Sequence, residues 1–282
     1  MLQSQPAPSP NGFAFPPMPA ALRAIHEEEV KPSPDPYRIS HAIAADLGLA
    51  TEVLKVINSP AFGRRRQVAS IPDAIAQVGL ANVTNLVSAA ALRASLVGLA
   101  RTRLDRYWDT SMDVALVCAR VAKEYTGIAP DTAYTLGLFH DCGIPLLLAL
   151  RPDYGPAVKR AVSGGWKITE AEQHHFGTTH AAVGYRVALH WNLPQEIAIA
   201  ILHHHHYPEV LTTGGIADEV RTLISVLKLG EHVSAEFRAE AFGREPDEWG
   251  RVGERVLDHL AIGDLEFLDL RDSLLAMLRG RS

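Results

Sequence analysis

The chain of 282 residues is 47% hydrophobic and 21% charged, as expected for a soluble protein with a sizeable core in one large domain or two modest ones. Its formal net charge of −5 excludes a chain-wide attraction to nucleic acid or to an anionic membrane. The local run Arg64–Arg66 is more typical of a solvated loop than of a phosphate contact.

The N-terminal segment differs in composition from the rest of the chain. Residues 1–17 are rich in Pro, Ser and Gln without apolar periodicity, which predicts a disordered lead-in or linker over residues 1–12. Beyond it the apolar spacing is helical almost throughout. The predicted helices cover residues 18–30, 37–47, 49–58, 72–78, 80–97, 103–126, 130–150, 153–163, 168–175, 178–191, 194–206, 216–240, 247–261 and 265–279.

Several helix ends have local causes in the sequence. The helix before Pro60 ends at Asn58-Ser59, because the residue before a proline avoids the helical region. Ser70, just before Pro72, is typical of a helix start. Thr178 is placed to cap the helix that carries His180.

The helices group into a domain and a tail. We predict one domain over residues 13–240, with lobes 13–100 and 101–240, and a C-terminal helical extension over residues 241–282. The extension contains two amphipathic helices, whose apolar stripes we interpret as packing surfaces rather than partner sites. The stripes are Val252, Val256, Leu257 and Leu260 in the first helix and Leu268, Leu274, Leu275 and Leu278 in the second.

Cysteine usage and the N-terminus indicate the compartment. Cys118 and Cys142 lack a CxxC spacing and lie in apolar helical stretches, so we interpret them as small buried residues in a reducing cytosol. No signal peptide is visible, and we find no apolar stretch of the ~18 residues that a membrane span needs. We therefore expect a cytoplasmic protein without a membrane partner.

The informative feature is a set of ionisable residues on apolar helix stripes. His140 with Asp141, then His180, His203 with His204, and Glu231 each extend such a stripe, on four different helices. Buried charges must meet each other, hydrogen-bond partners or a metal, because an unpaired charge is costly to bury. Imidazoles with carboxylates suit a divalent transition metal such as Fe, Mn, Zn or Ni.

Two interpretations of this set stay open. A single histidine on an apolar face is more often a hydrogen-bonded core residue than a ligand, whereas the whole set makes the two interpretations about equal. The run from His203 to His206 cannot face inward entirely, since a helix turns ~100° per residue, so we expect His205 or His206 to be solvated. Pro145 cannot donate to the carbonyl of Asp141, which predicts a kink that either aims these side chains or is incidental.

Separated motifs in this chain resemble a known family. The segment Leu138–Gly143, which contains His140-Asp141, resembles the signature of the HD superfamily of metal-dependent phosphohydrolases. Thr179–Gly184, followed by Trp191–Pro194 and His203-His204, is similar to its HDOD and HD-GYP branches. The N-terminal motifs resemble the HDOD branch: Phe15–Pro19, Val56–Ser59, Ala69–Ile71 and Ala74–Leu80.

The resemblance implies an all-α fold, a multi-helix HD-superfamily bundle with an N-terminal helical lobe. It also implies a bacterial signal-transduction output module that acts through protein–protein contacts, with an upstream sensor or receiver domain as a partner or by forming a homo-oligomer. HDOD members are generally regarded as having lost the phosphodiesterase chemistry of their HD-GYP relatives. The chain has no receiver-like segment, so it is either a stand-alone protein or the output half of a longer one.

The chain departs from the catalytic pattern at named positions. The first metal-binding histidine of HD enzymes corresponds to Thr110, a far poorer ligand, and Glu231 replaces the final aspartate. The resemblance leaves His140, Asp141, His180, His203 and His204, with Glu231 as a further candidate, as metal ligands. Such a remnant suits one metal better than the paired metals of phosphodiester hydrolysis.

Three functional hypotheses follow. The leading one is a non-catalytic output module that requires no cofactor, or that keeps a metal for structure or sensing. The alternative is an HD-type phosphohydrolase that acts on a nucleotide or cyclic dinucleotide. A DNA-binding role is the weakest, because the charge is acidic and no helix-turn-helix signature is visible.

Overall fold

The computed structural model describes residues 18–62, 67–97, 104–212, 215–242 and 248–280. In these ranges the regular structure is entirely helical, which confirms the predicted all-α class. The predicted lead-in at residues 1–12 and the run Arg64–Arg66 lie outside the described residues.

Five helices form the N-terminal part of the protein. They are α1 (Ala20–Glu29), α2 (Pro36–Ala44), α3 (Leu47–Ile57), α4 (Ile71–Val78) and α5 (Leu80–Val97), with a 3-10 turn at Pro60–Phe62. The cap predicted at Ser70 is present, since its side chain accepts from Asp73 N. The predicted helix end at Asn58 is also observed. The side-chain amide of Asn58 accepts from Val68 N and donates to Val68 O, which ties the end of α3 to the segment before α4.

The longer helices of the second part surround a buried core. They are α6 (Asp105–Tyr125), α7 (Pro130–Phe139), α8 (Gly143–Leu150), α9 (Tyr154–Ser163), α10 (Ile168–Phe176), α11 (His180–His190), α12 (Gln195–His203), α13 (Tyr207–Thr212) and α14 (Asp218–Phe242). Helix α6 packs between α7 and α14, α11 packs on α8 and α12, and α5 joins the two parts by packing on α7.

The single helix predicted over residues 130–150 is in fact two helices. Helix α7 ends at Phe139 and α8 begins at Gly143, so His140, Asp141 and Cys142 form the turn between them. Pro145 has no N–H for the carbonyl of Asp141, which instead accepts from Ile144 N in a tighter turn. The predicted kink is therefore a complete break, and it lies at the His-Asp pair itself.

This apolar stretch also bears on the membrane prediction. Among the described residues, Pro130–Leu150 is the one stretch long and apolar enough to cross a membrane by composition, although the sequence analysis identified none. Of its most apolar window, 72% is buried inside the protein, as in the core helices of soluble proteins. The stretch is therefore weak support for a membrane span.

The C-terminal helices pack against α14. Helices α15 (Trp249–Leu260) and α16 (Asp264–Arg279) match the predicted extension, and the predicted stripe of α15 is buried. In α16 the buried residues are Phe267, Leu270, Leu274 and Leu278. Leu268, which we predicted in this stripe, is instead 44% exposed because the apolar face is rotated toward Phe267. Both cysteines are free and buried, as predicted.

Candidate metal centre

Four side chains converge beside the turn between α7 and α8. Asp141, His180, His204 and His205 each offer one ligand atom, and these atoms all lie within 4.8 Å of one another. Asp141 Oδ1 lies 3.2 Å from His180 Nε2 and 3.5 Å from His204 Nε2. The Nε2 atoms of His180 and His205 are 2.9 Å apart. Oxygen and nitrogen donors at this spacing form a candidate site for a single cation.

Two further predicted ligands lie on the other side of Asp141. His140 Nε2 is 3.1 Å from Asp141 Oδ2 and 3.9 Å from Glu231 Oε1. Neither His140 nor Glu231 belongs to the group of four converging donors. The predicted set is therefore split into two sides, and Asp141 touches both.

The histidine run uses different members from those predicted. Helix α12 ends at His203, and the following residues form a turn that directs His204 and His205 toward Asp141. His203 lies apart, half-buried, with its ring centroid 6.3 Å from that of His206. The predicted pair is His203 with His204, whereas the converging pair is His204 with His205, because the Ile199–His203 stripe is only half-buried and the turn after α12 brings His205 inward.

Three of the imidazoles around Asp141, those of His140, His180 and His204, are held through their Nδ1 atoms, which leaves Nε2 facing Asp141. His140 Nδ1 and His204 Nδ1 each lie 2.7 Å from a backbone carbonyl three residues earlier, at Gly137 and Ile201. His180 Nδ1 lies 2.8 Å from the carboxylate of Glu172. Such contacts fix the tautomer and the ring orientation of metal-binding histidines.

Glu172 on α10 was not identified from the sequence, yet it is fully buried beside the centre. Its carboxylate accepts from the backbone and Nδ1 of His180 and from the hydroxyl of Tyr154. Burial acts to lower the pKa of His180, but the carboxylates of Asp141 and Glu172 outweigh it and raise this pKa to about 10. Without a metal, His180 is therefore an imidazolium at neutral pH.

A second residue beside the centre that was not identified from the sequence lies on the Nδ1 side of His205. Glu248, just before α15, places Oε1 3.6 Å from His205 Nδ1 and Oε2 2.8 Å from Lys228 Nζ. The same ammonium is 2.9 Å from Glu231 Oε2. Lys228 is buried on α14, and both carboxylates raise its pKa against the opposing effect of burial. No periodic signal marks Glu248, because it precedes its helix and meets His205 only through the tertiary fold.

The face of α6 toward the centre is not the one that carries Thr110. Thr110 is half-buried and donates its hydroxyl to Arg106 O on its own helix. Burial raises the pKa of the Tyr107 hydroxyl, and Cys142 and Asp141 raise it further, so Tyr107 lies within electrostatic reach of Asp141. The position predicted for a missing first ligand therefore does not coincide with the helix face that approaches the centre.

Three observations indicate that these donor atoms suit a transition metal ion. His204 Nε2 is buried and has no hydrogen-bond partner. In the neutral state the facing Nε2 lone pairs of His180 and His205 need a shared proton or a cation between them. Burial lowers the pKa of both His204 and His205, which keeps these ligands neutral. The carboxyl group of Asp141 stays ionised, because His140 and the other histidines lower its pKa against the opposing effect of burial.

The sequence and the fold both have known counterparts. Residues 15–207, more than half of the chain, match the HDOD domain family. A protein of Treponema pallidum (strain Nichols), described as uncharacterized, is 26% identical over 227 residues. That match covers 76% of this chain and 40% of the relative, so the chain spans less than half of the relative's length.

Two crystal structures illustrate the shared fold. The "Putative phosphohydrolase" from Shewanella amazonensis SB2B has a TM-score of 0.69 at 21% identity, with 95% of this chain and 94% of that chain covered. The "Putative signal transduction protein" from Marinobacter aquaeolei VT8 has a TM-score of 0.61 at 22% identity, with 94% and 59% covered. These likenesses show the same arrangement of helices.

Proposed function

The chain belongs to the HDOD family, and from this premise we propose that it is an output protein of signal transduction. It acts by contacting partner proteins, such as an upstream sensor or receiver domain, or by self-association. Its centre binds one divalent transition metal ion for stability or sensing, and it does not hydrolyse phosphodiesters. The observation that carries the proposal is a full set of donors for one ion beside an incomplete set for a second.

The set for one ion consists of Asp141, His180, His204 and His205, whose ligand atoms already lie within 4.8 Å of one another. Three imidazoles and one carboxylate suit Fe, Mn, Zn or Ni. A bound ion of this kind supplies a fixed positive charge and, at an open coordination position, an acidified water. The residues of this chain hold the ion in place, because their own hydrogen bonds fix each ring.

The set for a second ion is incomplete among the described residues. His140 and Glu231 lie on the far side of Asp141, but Glu231 is paired with the Lys228 ammonium. On α6, Tyr107 interacts electrostatically with Asp141, and the buried Ser111 interacts with Tyr107; both offer only hydroxyl groups. Hydroxyl groups at neutral pH are poor ligands, and phosphodiester hydrolysis in this superfamily uses paired metals.

The protein surface supports a role in contacts with partners. Three large apolar side chains near the ends of neighbouring N-terminal helices are strongly exposed: Val30 at 83%, Tyr37 at 74% and Leu47 at 79%. Side chains of this kind are available for contact with a partner protein, as the proposal requires.

A second candidate function is hydrolysis of a nucleotide or cyclic dinucleotide. It is favoured by the retained pair of His140 Nε2 and Asp141 Oδ2 at 3.1 Å. The fold likeness to a Shewanella protein named as a phosphohydrolase is consistent with it.

The test combines metal analysis with an activity assay on the purified full chain. We expect about one equivalent of metal and no hydrolysis of cyclic dinucleotides or nucleotides when Mn or Fe is added. Metal should raise the melting temperature of the wild type but not of His204→Ala, because a ligand that binds only the folded state stabilises it. The matched control is His206→Ala, an exposed histidine of the same run.

Turnover that depends on added metal and disappears in His140→Ala would overturn the proposal in favour of the phosphohydrolase. Metal-free protein whose melting temperature ignores added metal would contradict the metal centre itself. The two results are distinguishable, since one concerns product formation and the other metal content.

A further inference from the structure

We propose that the C-terminal extension completes the metal centre, with Glu248 as the residue that positions His205 for metal binding. This inference rests on the proposed metal site. It goes beyond it by assigning a role to a segment outside the part of the chain that matches the HDOD family, residues 15–207.

The four histidines around Asp141 are held in two different ways. His140, His180 and His204 are fixed at Nδ1 by groups inside the family match, namely two backbone carbonyls and the carboxylate of Glu172. His205 is the exception. Among the described residues, the carboxylate that faces its Nδ1 is that of Glu248, at 3.6 Å.

This contact determines which nitrogen of His205 faces the centre as a lone pair. A carboxylate beside Nδ1 stabilises the tautomer that carries its proton on Nδ1, so Nε2 is free to ligate. With the proton on Nε2 instead, His205 cannot bind the ion with that atom. The metal affinity therefore depends on what occupies the place of the Glu248 carboxylate.

Glu248 is itself held firmly on both sides. Its second oxygen is 2.8 Å from Lys228 Nζ, an ammonium that is only 2% exposed. The next residue, Trp249, stacks on the His232 ring with a centroid distance of 4.4 Å and an interplanar angle of 4°. Trp249 also stacks on Phe267 at 5.3 Å, which ties Glu248 to both helices of the extension.

The isosteric variant Glu248→Gln gives the sharpest test. Lys228 donates to one end of the side chain, so the amide oxygen of Gln turns toward Lys228 and its NH2 group faces His205. A donor at this place favours the Nε2-protonated tautomer, which is the wrong one for metal binding. The shape and the packing of the side chain stay the same.

The measurement is the affinity of the full chain for Co²⁺, determined against a competing chelator. We expect Glu248→Gln to bind Co²⁺ 10- to 100-fold more weakly, the usual range for loss of a residue that orients a ligand. The control is Glu254→Gln, an exposed carboxylate on the same helix, which should bind like the wild type. Melting curves verify that both variants fold.

Two further readouts separate positioning from a general effect of charge. Nitrogen-15 NMR of the metal-free protein should show the His205 proton on Nδ1 in the wild type, where Nε2 also lies 2.9 Å from His180 Nε2, and a larger share of the Nε2-protonated ring in Glu248→Gln. In Lys228→Met/Glu248→Gln the amide is free to rotate its oxygen toward His205, so positioning predicts that the His205 proton returns to Nδ1, whereas the Co²⁺ affinity recovers on either account because one positive charge is also removed.

Equal Co²⁺ affinity in Glu248→Gln and Glu254→Gln overturns the inference, and so does an unchanged His205 tautomer. A His205 proton that does not return to Nδ1 in the double variant also overturns the positioning role. A wild type that fails to bind Co²⁺ contradicts the metal centre instead, so the two failures are distinct.

Discussion

The N-terminal helices and the metal centre use polar side chains in opposite ways. At the starts of α2, α3 and α4, the side chains of Asp35, Asp46 and Ser70 cap the helices by accepting from backbone N–H groups nearby in sequence. Around Asp141 the polar groups lie inside the protein and hold one another across three helices, α10, α11 and α14, and the turns that follow α7 and α12. The first arrangement decides where helices begin, whereas the second builds a place for a cation.

This difference has an energetic consequence. A cap serves one helix end and is replaceable at a cost of about 1 kcal/mol. A buried group such as Glu172 has three donors that water cannot reach, so its loss leaves them all unpaired. Substitutions in the two regions should therefore differ in size and in their response to metal and to pH.

Among these substitutions, Glu172→Ala should lower the free energy of unfolding the most. Removal of the carboxylate leaves the His180 imidazolium and the Tyr154 hydroxyl buried without their acceptor. Loss of one partner from a buried ion pair costs about 3–5 kcal/mol in the free energy of unfolding. Urea unfolding of the metal-free protein measures it.

The matched control for this substitution lies on the same helix. Glu170 is exposed and accepts only from the backbone N–H of Lys167, so Glu170→Ala should cost about 1 kcal/mol or less. If both substitutions cost the same, the interior network is no stronger than a helix cap, and the contrast between the two regions fails.

The sequence predicts most of the fold because its signals are local. The apolar spacing found most helices to within a few residues, and the cap at Ser70 was read directly from the residues. The cap of α11 was misplaced by one residue, since Thr179 rather than Thr178 accepts from Ala182 N. Adjacent threonines offer the same side chain, and only the backbone decides between them.

The site is predicted less well, because its members meet through the tertiary fold. Periodicity identified Asp141, His180 and His204, but it placed His203 on a stripe that is only half-buried and continued α12 past His203, where a turn instead brings His205 inward. It also carried one helix through the break at the His-Asp pair. Gly143 allows the start of α11 to approach this turn closely, because a Cβ at this position would lie 2.1 Å from His180 O. No pattern within one helix reports such a contact.

The next effect in size is the pH dependence of the metal-free protein. His180 has a pKa of about 10 in the folded state, against about 6.5 in an unfolded chain. A raised pKa stabilises the folded state fully below the unfolded value, and this stabilisation is lost as pH rises toward 10. Between pH 6.5 and 8.5 the free energy of unfolding should fall by roughly 2–3 kcal/mol.

This pH window isolates the histidines. Burial raises the pKa of the Cys142 thiol and the Tyr154 hydroxyl, so those groups reduce stability only above the pKa values of about 9 and 10 that they have when unfolded. Metal-loaded protein holds His180 neutral and should show a much flatter profile in urea titrations. A metal-free profile that is equally flat would mean that His180 is not protonated in the fold.

The smallest expected change in the free energy of unfolding concerns a helix cap in the N-terminal helices. Ser70 Oγ accepts from Asp73 N at the start of α4, far in sequence from every residue of the metal centre. Ser70→Ala removes one cap and should cost about 1 kcal/mol, because the freed N–H is exposed and water replaces the serine. The cost should be the same with and without metal and at pH 6.5 and 8.5, since distant sites contribute independently. A cost that changes on metal loading would show that the N-terminal helices and the metal centre are energetically coupled. The two regions would then differ in how their polar residues are arranged along the sequence, but they would not be independent in the folded protein.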